Sequence, residues 1–152
     1  MFRYHLIHYH HYAASDKERG KLMYQLPEDF DFELLSGCYL ETICFGAQVT
    51  VLNFKRPQPA PGTRAYTVSF AVEGGLTFNI GEHNGNRDFN DPYSSVALLN
   101  LILSDVSGVT ASELSNLKIN FGTDGYLTIM SSDSNEFESC TIYLNDGEVV
   151  VI

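Results

Sequence analysis

A hairpin pattern that occurs twice constrains the fold more than any other feature. In residues 38–54 (CYLETICFGAQVTVLNF), two runs rich in β-branched and aromatic residues flank a turn at Gly46. Residues 119–129 repeat this order, with an I-x-F-G corner, a polar turn through Asp124 and Gly125, and an apolar-Thr-apolar triplet. Glycine suits such corners because it reaches positive φ without a Cβ clash. The pattern predicts antiparallel strands joined by short turns.

Other parts of the chain carry strand signals of their own. Apolar and polar residues alternate in residues 65–72 and 76–80, which predicts a second hairpin that turns at residues 73–75. In residues 38–54 the apolar side chains fall on both faces, which predicts a central position in the sheet. The sequence Asn-Asp-Gly at 145–147 predicts a last hairpin, and the apolar end of the chain is expected to be buried.

One main helix is predicted after residue 90. Asp91 can cap its first free N–H groups, and Pro92 suits the first helical position, where no N–H is needed. Gly108 is a suitable C-terminal cap. The predicted core-facing stripe, at helical spacing, consists of Val96, Leu99, Ile102, Leu103 and Val106. The predicted fold class is α+β, an antiparallel, hairpin-rich sheet with one main helix packed on one face.

The chain divides into an N-terminal extension, residues 1–26, and a single predicted α+β domain, residues 27–152. The first twelve residues hold four histidines and three tyrosines. Three interpretations of the extension stay open: an extra hairpin, a short helix opened by a capping box at residues 15–18, or a mis-annotated leader. In the third, Met23 is the natural start, because residues 17–19 can be encoded by a purine-rich ribosome-binding sequence.

Residues with catalytic or metal-binding chemistry do not form a recognisable set. His8 and His10 would share one face of a strand, but a metal site normally takes three or four ligands. His83, Arg87 and Asp88 lie together on one polar, glycine-containing segment that offers nothing to orient them. We therefore predict no enzymatic activity, no catalytic residue, no metal site and no cofactor.

The cysteines and the hydropathy indicate where the protein resides. Three cysteines, an odd number without CxxC spacing, favour reduced thiols in a cytosol. Cys44 and Cys140 fall within strand-like runs and are predicted to be buried. No apolar run approaches the roughly 20 residues that cross a bilayer. The prediction is a cytoplasmic protein without a membrane partner.

The negative charge lies almost entirely in the second half of the chain. Residues 88–152 contain ten acids and one base, whereas the first 87 residues contain nine acids and eight bases. A basic footprint, which nucleic-acid binding needs, is therefore missing. The acids can steer a basic protein partner, or they can simply keep the domain soluble.

Several short motifs carry a resemblance to a known group of proteins. These are Leu-Leu-Ser-Gly at 34–37, Ile-Cys-Phe-Gly at 43–46, Leu-Asn-Phe at 52–54, a later Asp-Gly turn, and Phe-Glu-Ser-Cys at 137–140. Together they resemble small bacterial domains with an L-x-G, I-x-F-G, L-x-F hairpin, although Cys140 stands where those domains carry an aromatic residue. Such domains often serve as immunity proteins beside secreted or contact-delivered bacterial toxins.

The resemblance and the charge together give one leading functional hypothesis. It is a non-enzymatic immunity protein that neutralises a cognate bacterial toxin, such as a nuclease with a basic cleft, through an acidic surface. Two alternatives stay open, namely an interaction or scaffold module without a toxin and a small-ligand binder, and the oligomeric state is undetermined. The predicted partner-binding residues are Glu82, Asp88, Asp91, Asp124, Asp133 and Glu136.

Overall fold

The computed structural model describes residues 26–112, 116–131 and 138–152. Within them the chain forms two five-stranded sheets, in which all neighbouring strands are antiparallel. The strand order is β1-β2-β3-β9-β10 in the first sheet and β5-β4-β8-β7-β6 in the second. In chain order the strands are β1 (Tyr39–Phe45), β2 (Thr50–Lys55), β3 (Thr67–Val72), β4 (Leu76–Ile80), β5 (His83–Asn86), β6 (Gly108–Ala111), β7 (Leu117–Asn120), β8 (Tyr126–Ile129), β9 (Cys140–Tyr143) and β10 (Val149–Val151).

The core forms where the apolar faces of the two sheets meet. Burial alternates along β2 and β4, as it does in a strand with one covered face. Phe54 of β2 contacts Phe70 of β3 edge-to-face, with ring centroids 5.5 Å apart. The Phe54 ring also stacks on Phe121, just after β7, at 6.4 Å. Side chains of both sheets therefore belong to one continuous cluster of buried residues.

The predicted α+β class is wrong, because almost no helix is present in the described part of the chain. The segment predicted as the main helix forms a 3₁₀ helix of six residues, Val96–Leu101. Asp91 does accept a hydrogen bond from the backbone N–H of Tyr93 at 2.9 Å, but the turn it caps does not continue as an α-helix. The predicted antiparallel, hairpin-rich sheet is confirmed, and it occurs twice.

The face of this segment was also predicted wrongly. Its buried residues are Leu98 and Leu101, which are three positions apart and so eclipse each other in a helix with three residues per turn. The helix ends at Ile102, which is extended, and Leu103 takes φ +71°. Gly108 is not a cap but the first residue of β6. Four residues of the predicted core stripe are exposed instead: Val96, Leu99, Ile102 and Leu103.

Both I-x-F-G hairpins are confirmed, but the first does not lie at the centre of its sheet. β1 pairs with β2 and is the outermost strand of the first sheet. A bulge between Leu40 and Thr42 inserts one extra residue. A one-residue insertion exchanges the two faces of a strand, and Leu40 and Ile43 therefore share the inner face. This exchange of faces explains why the apolar residues of β1 fall on both sides of the strand. The same pattern had predicted a strand buried on both faces.

Residues 73–75 connect the two sheets and do not form a hairpin turn. The alternation predicted for β3 and β4 is confirmed, since Val68, Phe70 and Phe78 point into the core. The two strands nevertheless belong to different sheets. The backbone N–H groups of Glu73 and Gly74 both donate to the carbonyl of Ser139, at 3.0 and 2.9 Å. These bonds hold the crossing segment against the start of β9.

The last hairpin is confirmed, and the predicted burial of the chain end is confirmed for Ile152, whereas Val149 is exposed and Val150 and Val151 are half-buried. Leu144 N–H donates to the carbonyl of Glu148 at 2.9 Å across the Asn-Asp-Gly turn. Ile152 is buried, and its carbonyl accepts bonds from the N–H groups of Ser139 and Cys140. The final residue is therefore part of the sheet.

The three interpretations of the N-terminal extension concern residues 1–22, which lie outside the described residues. Over the described residues, no helix has the length and apolar character that crossing a membrane requires.

The three cysteines differ in their surroundings. Cys38 and Cys140 are buried and Cys44 is exposed, so the prediction of burial is confirmed for Cys140 and wrong for Cys44. Cys44 points outward on β1 because the bulge has exchanged the faces of that strand. Burial raises the pKa of Cys140 to about 12, and the negative charge of Glu73 acts in the same direction. Burial also raises the pKa of Cys38, against the opposing effect of Arg56.

We expect an aromatic disulfide reagent to modify one thiol quickly in the native protein at neutral pH and all three after unfolding. Only Cys44 is accessible, and the other two thiols stay both covered and protonated. Absorbance of the released thiolate measures the count. The substitution Cys44→Ser should abolish the fast phase. A fast phase that persists in this variant would contradict the assigned burial.

Candidate functional site

Among the described residues, the most exposed large apolar side chains lie on the segment around the 3₁₀ helix. This surface consists of Tyr93, Val96, Leu99, Ile102 and Leu103, and we call it the apolar patch. Tyr93 and Leu103 are 81% and 74% exposed. Tyr93, Val96, Leu99 and Ile102 follow one another at intervals of three residues. Val96 and Leu99 lie within the 3₁₀ helix and therefore share one face of it. Exposed apolar side chains grouped in this way are typical of interaction sites, whereas scattered ones need no explanation.

A groove separates part of this patch from the edge strand β5. It is lined on one side by His83 and Gly85, and on the other by Tyr93, Val96 and Leu99. β5 pairs with β4, and no described strand covers its outer edge. Apolar side chains and an open strand edge therefore adjoin the same groove.

Two of the predicted acids, Asp88 and Asp91, stand where the chain leads into the patch. Both are exposed. The Asp88 carboxylate accepts from the N–H of Asn90, and the hydroxyl of Ser94 donates to the carbonyl of Asp91, at 2.9 and 2.8 Å. The N–H of Asp88 in turn donates to the Ser94 oxygen at 2.9 Å. Local hydrogen bonds thus fix this loop and keep both carboxylates at the surface.

Glu82 and Asp124 come together in a second depression next to the groove. Glu82 lies in the turn between β4 and β5, and Asp124 in the turn between β7 and β8. Both side chains are exposed, and they line one open depression together with His83 and Asn100. Glu82 also lines the groove beside the apolar patch. The structure therefore brings two acids that are distant in sequence together in one depression beside the groove.

The last two predicted site residues, Asp133 and Glu136, lie outside the described residues.

Arg87 does not join His83 and Asp88 in a reactive cluster. His83 is exposed on β5, whereas Arg87 is buried. The Arg87 side chain donates to the carbonyl of Gly46 at 3.0 Å and to the hydroxyl of Thr50 at 3.2 Å. Its guanidinium carbon lies 5.3 and 5.0 Å from the ring centres of Phe45 and Phe89. The residue joins the two sheets and is turned away from solvent.

A search of the described residues for three or more histidine, cysteine or acidic side chains able to hold a metal ion finds no group. The paired acids Glu82 and Asp124 have only His83 as a potential third ligand in their depression.

The apolar patch was missed at the sequence level. The sequence predicts a core position for all of its residues except Tyr93, because spacings of three and four fit an α-helix. One signal pointed the other way: Tyr93, Val96, Leu99 and Ile102 recur at a constant interval of three. That interval matches the three residues per turn of a 3₁₀ helix. Leu98 and Leu101 are also three residues apart, and they lie on the buried face of this helix.

Comparison with known proteins gives no match, since no protein-family model, no curated protein and no solved structure is significantly similar to the chain. The fold and the surface define a protein with two antiparallel sheets and an exposed apolar patch among carboxylates.

Proposed function

We propose that this protein is a non-enzymatic binding protein that docks onto a basic protein surface through the apolar patch and its acids. The observation that supports this most is the arrangement of four exposed carboxylates around one exposed apolar surface. Glu82 and Asp124 line the depression beside the groove, and Asp88 and Asp91 are hydrogen-bonded to Ser94, which lines the groove itself. Protein interfaces combine an apolar centre with a polar rim in this way.

The charges determine the kind of partner. No lysine or arginine of the described residues lines the groove or the depression beside it. An acidic surface accelerates the encounter with a positively charged partner and disfavours acidic ones. The apolar side chains then contribute to the lifetime of the complex, since desolvated apolar and aromatic residues dominate binding energy.

The partner that fits these properties, and that the sequence resemblance suggests, is a toxin with a basic active-site cleft. The protein would act in the cytoplasm as its immunity protein, by covering the cleft. It would need no catalytic group, metal or cofactor of its own to do so. Tyr93 and Leu99 would supply apolar anchors, and the acids would pair with the basic residues that line the cleft.

The test begins with purification of the full chain from its source and identification of the bound protein by mass spectrometry. Its toxicity is measured by expression alone and together with this chain. We expect growth arrest in the first case and growth in the second. A partner that is harmless by itself, or an acidic one, would contradict the proposal.

Binding kinetics then assign the surface. The double variant Asp88→Lys/Asp91→Lys should associate at least about tenfold more slowly at low salt, with a flatter salt dependence, because steering is lost. The variant Val96→Asn/Leu99→Asn should dissociate at least about tenfold faster with little change in association. Both sites are exposed, so the unfolding temperature is expected to change little.

A matched control is Glu33→Lys/Glu73→Lys. It changes the net charge by the same amount at two exposed acids that lie outside the segment of residues 88–103, which carries the patch and the two test residues. We expect a smaller effect on association from this control, since it leaves the local field at the patch intact. Equal effects of the two charge reversals would mean that overall charge and not this surface governs binding.

A further inference from the structure

A second surface, separate from the apolar patch, lies at the other sheet. β10 is the outermost strand of the first sheet and pairs with β9. Cys140 and Ile152 exchange both of their backbone hydrogen bonds. Since bonding alternates along an antiparallel ladder, the N–H and C=O groups of Val149 and Val151 point away from β9. No described strand pairs with these outward groups.

A depression adjoins this edge on the face that Val150 occupies. Its cavity volume is about 290 Å³. The depression lies between the loop of residues 27–34 and the β9–β10 hairpin. Its apolar lining consists of Phe30, Leu34, Tyr66, Leu144 and Val150. Its acidic lining consists of Asp29, Asp31, Asp146 and Glu148.

Two of these carboxylates act directly on the aromatic lining. The pKa of Tyr66 is raised chiefly by burial, and the charges of Asp31 and Asp146 raise it further, although Arg56 lowers it. The Tyr66 hydroxyl is held in place, donating to the carbonyl of Leu34 at 2.8 Å. The negative charges are therefore close enough to the apolar lining for one ligand group to meet both.

The depression has no cation of its own among the described residues that line it. Two arginines stand nearby with other contacts: Arg56 stacks over the Tyr66 ring at 4.0 Å, and Arg64 donates to the Asn145 carbonyl at 3.5 Å. A basic side chain with a long apolar stem complements the depression. Arginine and lysine bury their methylene groups against apolar surface and direct the charge to carboxylates.

We propose that β10 and this depression bind an extended basic segment of a partner protein, which adds a strand to the first sheet. Residues of the segment opposite Val149 and Val151 would exchange backbone hydrogen bonds with them. Residues opposite Glu148 and Val150 place their side chains on the face of the depression. The recognised pattern is therefore arginine or lysine at alternate positions, with β-branched residues between them, which pack beside Val149.

This proposal does not depend on the apolar patch, and its test uses a defined probe. The probe is a short capped peptide in which arginine alternates with threonine, added to the full chain. Residue-resolved amide hydrogen exchange should slow at least about tenfold at Val149 and Val151. Exchange at Val150, whose N–H already faces β9, should not change.

Three comparisons complete the test. A peptide with glutamate in place of arginine should not bind. The variant Asp31→Asn/Asp146→Asn should bind the arginine peptide about tenfold more weakly at low salt. The variant Glu73→Gln/Asp105→Asn removes the same two negative charges at exposed acids that do not line the depression, and it should bind the arginine peptide nearly as the unmodified protein does. Loss of binding in this last variant alone would overturn the proposal.

If another segment occupies the edge of β10, hydrogen exchange gives a different result. If Val149 and Val151 are already protected in the full chain without peptide, at every protein concentration, then the chain covers its own edge. Protection that grows with protein concentration would identify a second copy as the occupant. Each of these outcomes overturns the proposal of a basic partner segment.

Discussion

Replacing Gly125 with alanine is expected to lower the free energy of unfolding by about 4 kcal/mol or more, the largest effect of any single methyl group that we predict. Gly125 precedes β8 and has φ +134°, a conformation that a residue with a side chain rarely adopts. An added Cβ would overlap the carbonyl oxygen of Asn79 and approach the Cα of Ile80 to 2.9 Å. Both contacts are backbone atoms of β4, which cannot move without separating β4 from β8.

Two other glycines separate the conformational from the steric part of this effect. Gly122, in the same turn, has φ +58° but open space where a Cβ would stand, so Gly122→Ala should cost only about 1 kcal/mol. Gly108 has neither constraint, and Gly108→Ala should leave stability unchanged or slightly raised, by about 0.5 kcal/mol.

Urea denaturation of the three glycine variants measures these differences. Thermal unfolding should follow the same order, with a drop of roughly 10 °C for Gly125→Ala, given about 2–4 °C per kcal/mol for a chain of this size. Equal losses for Gly125→Ala and Gly122→Ala would mean that the close approach of β8 to β4 contributes nothing.

The strands could be predicted from the sequence because the period of two follows directly from the backbone. Val68 and Phe70 alternate with polar residues, and one face of β3 is buried accordingly. The partner of a strand does not follow from this pattern. β3 and β4 have the signature of a hairpin, with a glycine turn between them, yet they lie in different sheets. Which sheet a strand joins is decided by packing of residues far apart in sequence.

The helix prediction failed for a related reason. Spacings of three and four residues between Val96, Leu99 and Leu103 fit an α-helix, but a short segment takes the period that its tertiary contacts allow. Here Leu98 and Leu101 fill the available space in the core. The resulting 3₁₀ turn leaves Val96, Leu99 and Ile102 at the surface, where they form part of the apolar patch.

Part of the candidate site could be predicted, because charged residues in turns seldom become buried. Glu82 and Asp124 are exposed in turns as expected. Their meeting in one depression could not be inferred, since it depends on the pairing of β4 with β8. The carboxylates beside β10 were missed as well, although Asp29 and Asp31 flank Phe30 in an alternation of acidic and aromatic residues.

The hydrogen bonds of Arg87 indicate a structural role, and not a catalytic one, for the segment that it shares with His83. It follows β5 of the second sheet, and its backbone N–H donates to the carbonyl of Leu76 at 2.8 Å. Its side chain reaches the turn between β1 and β2 of the first sheet, where it bonds Gly46 and Thr50. The guanidinium therefore fastens the sheets together at this edge.

The substitution Arg87→Met is expected to lower the free energy of unfolding by about 3 kcal/mol, as measured by urea denaturation. Methionine fills much of the volume, but the Gly46 carbonyl and the Thr50 hydroxyl lose their donor in a buried place. The cation–π contacts with Phe45 and Phe89 are lost as well. Arg87→Lys should recover only a minor part, because a single ammonium group cannot reproduce the planar fork that reaches both oxygens.

Arg64→Met is the matched control for this experiment. Arg64 is exposed and makes one long hydrogen bond of 3.5 Å to the Asn145 carbonyl, and so its removal should change stability by no more than about 0.5 kcal/mol. A loss for Arg87→Met no larger than for Arg64→Met would contradict the structural role. In that case something other than the buried guanidinium would maintain the conformation of this segment. A role for Arg87 in binding or chemistry would then explain its position better.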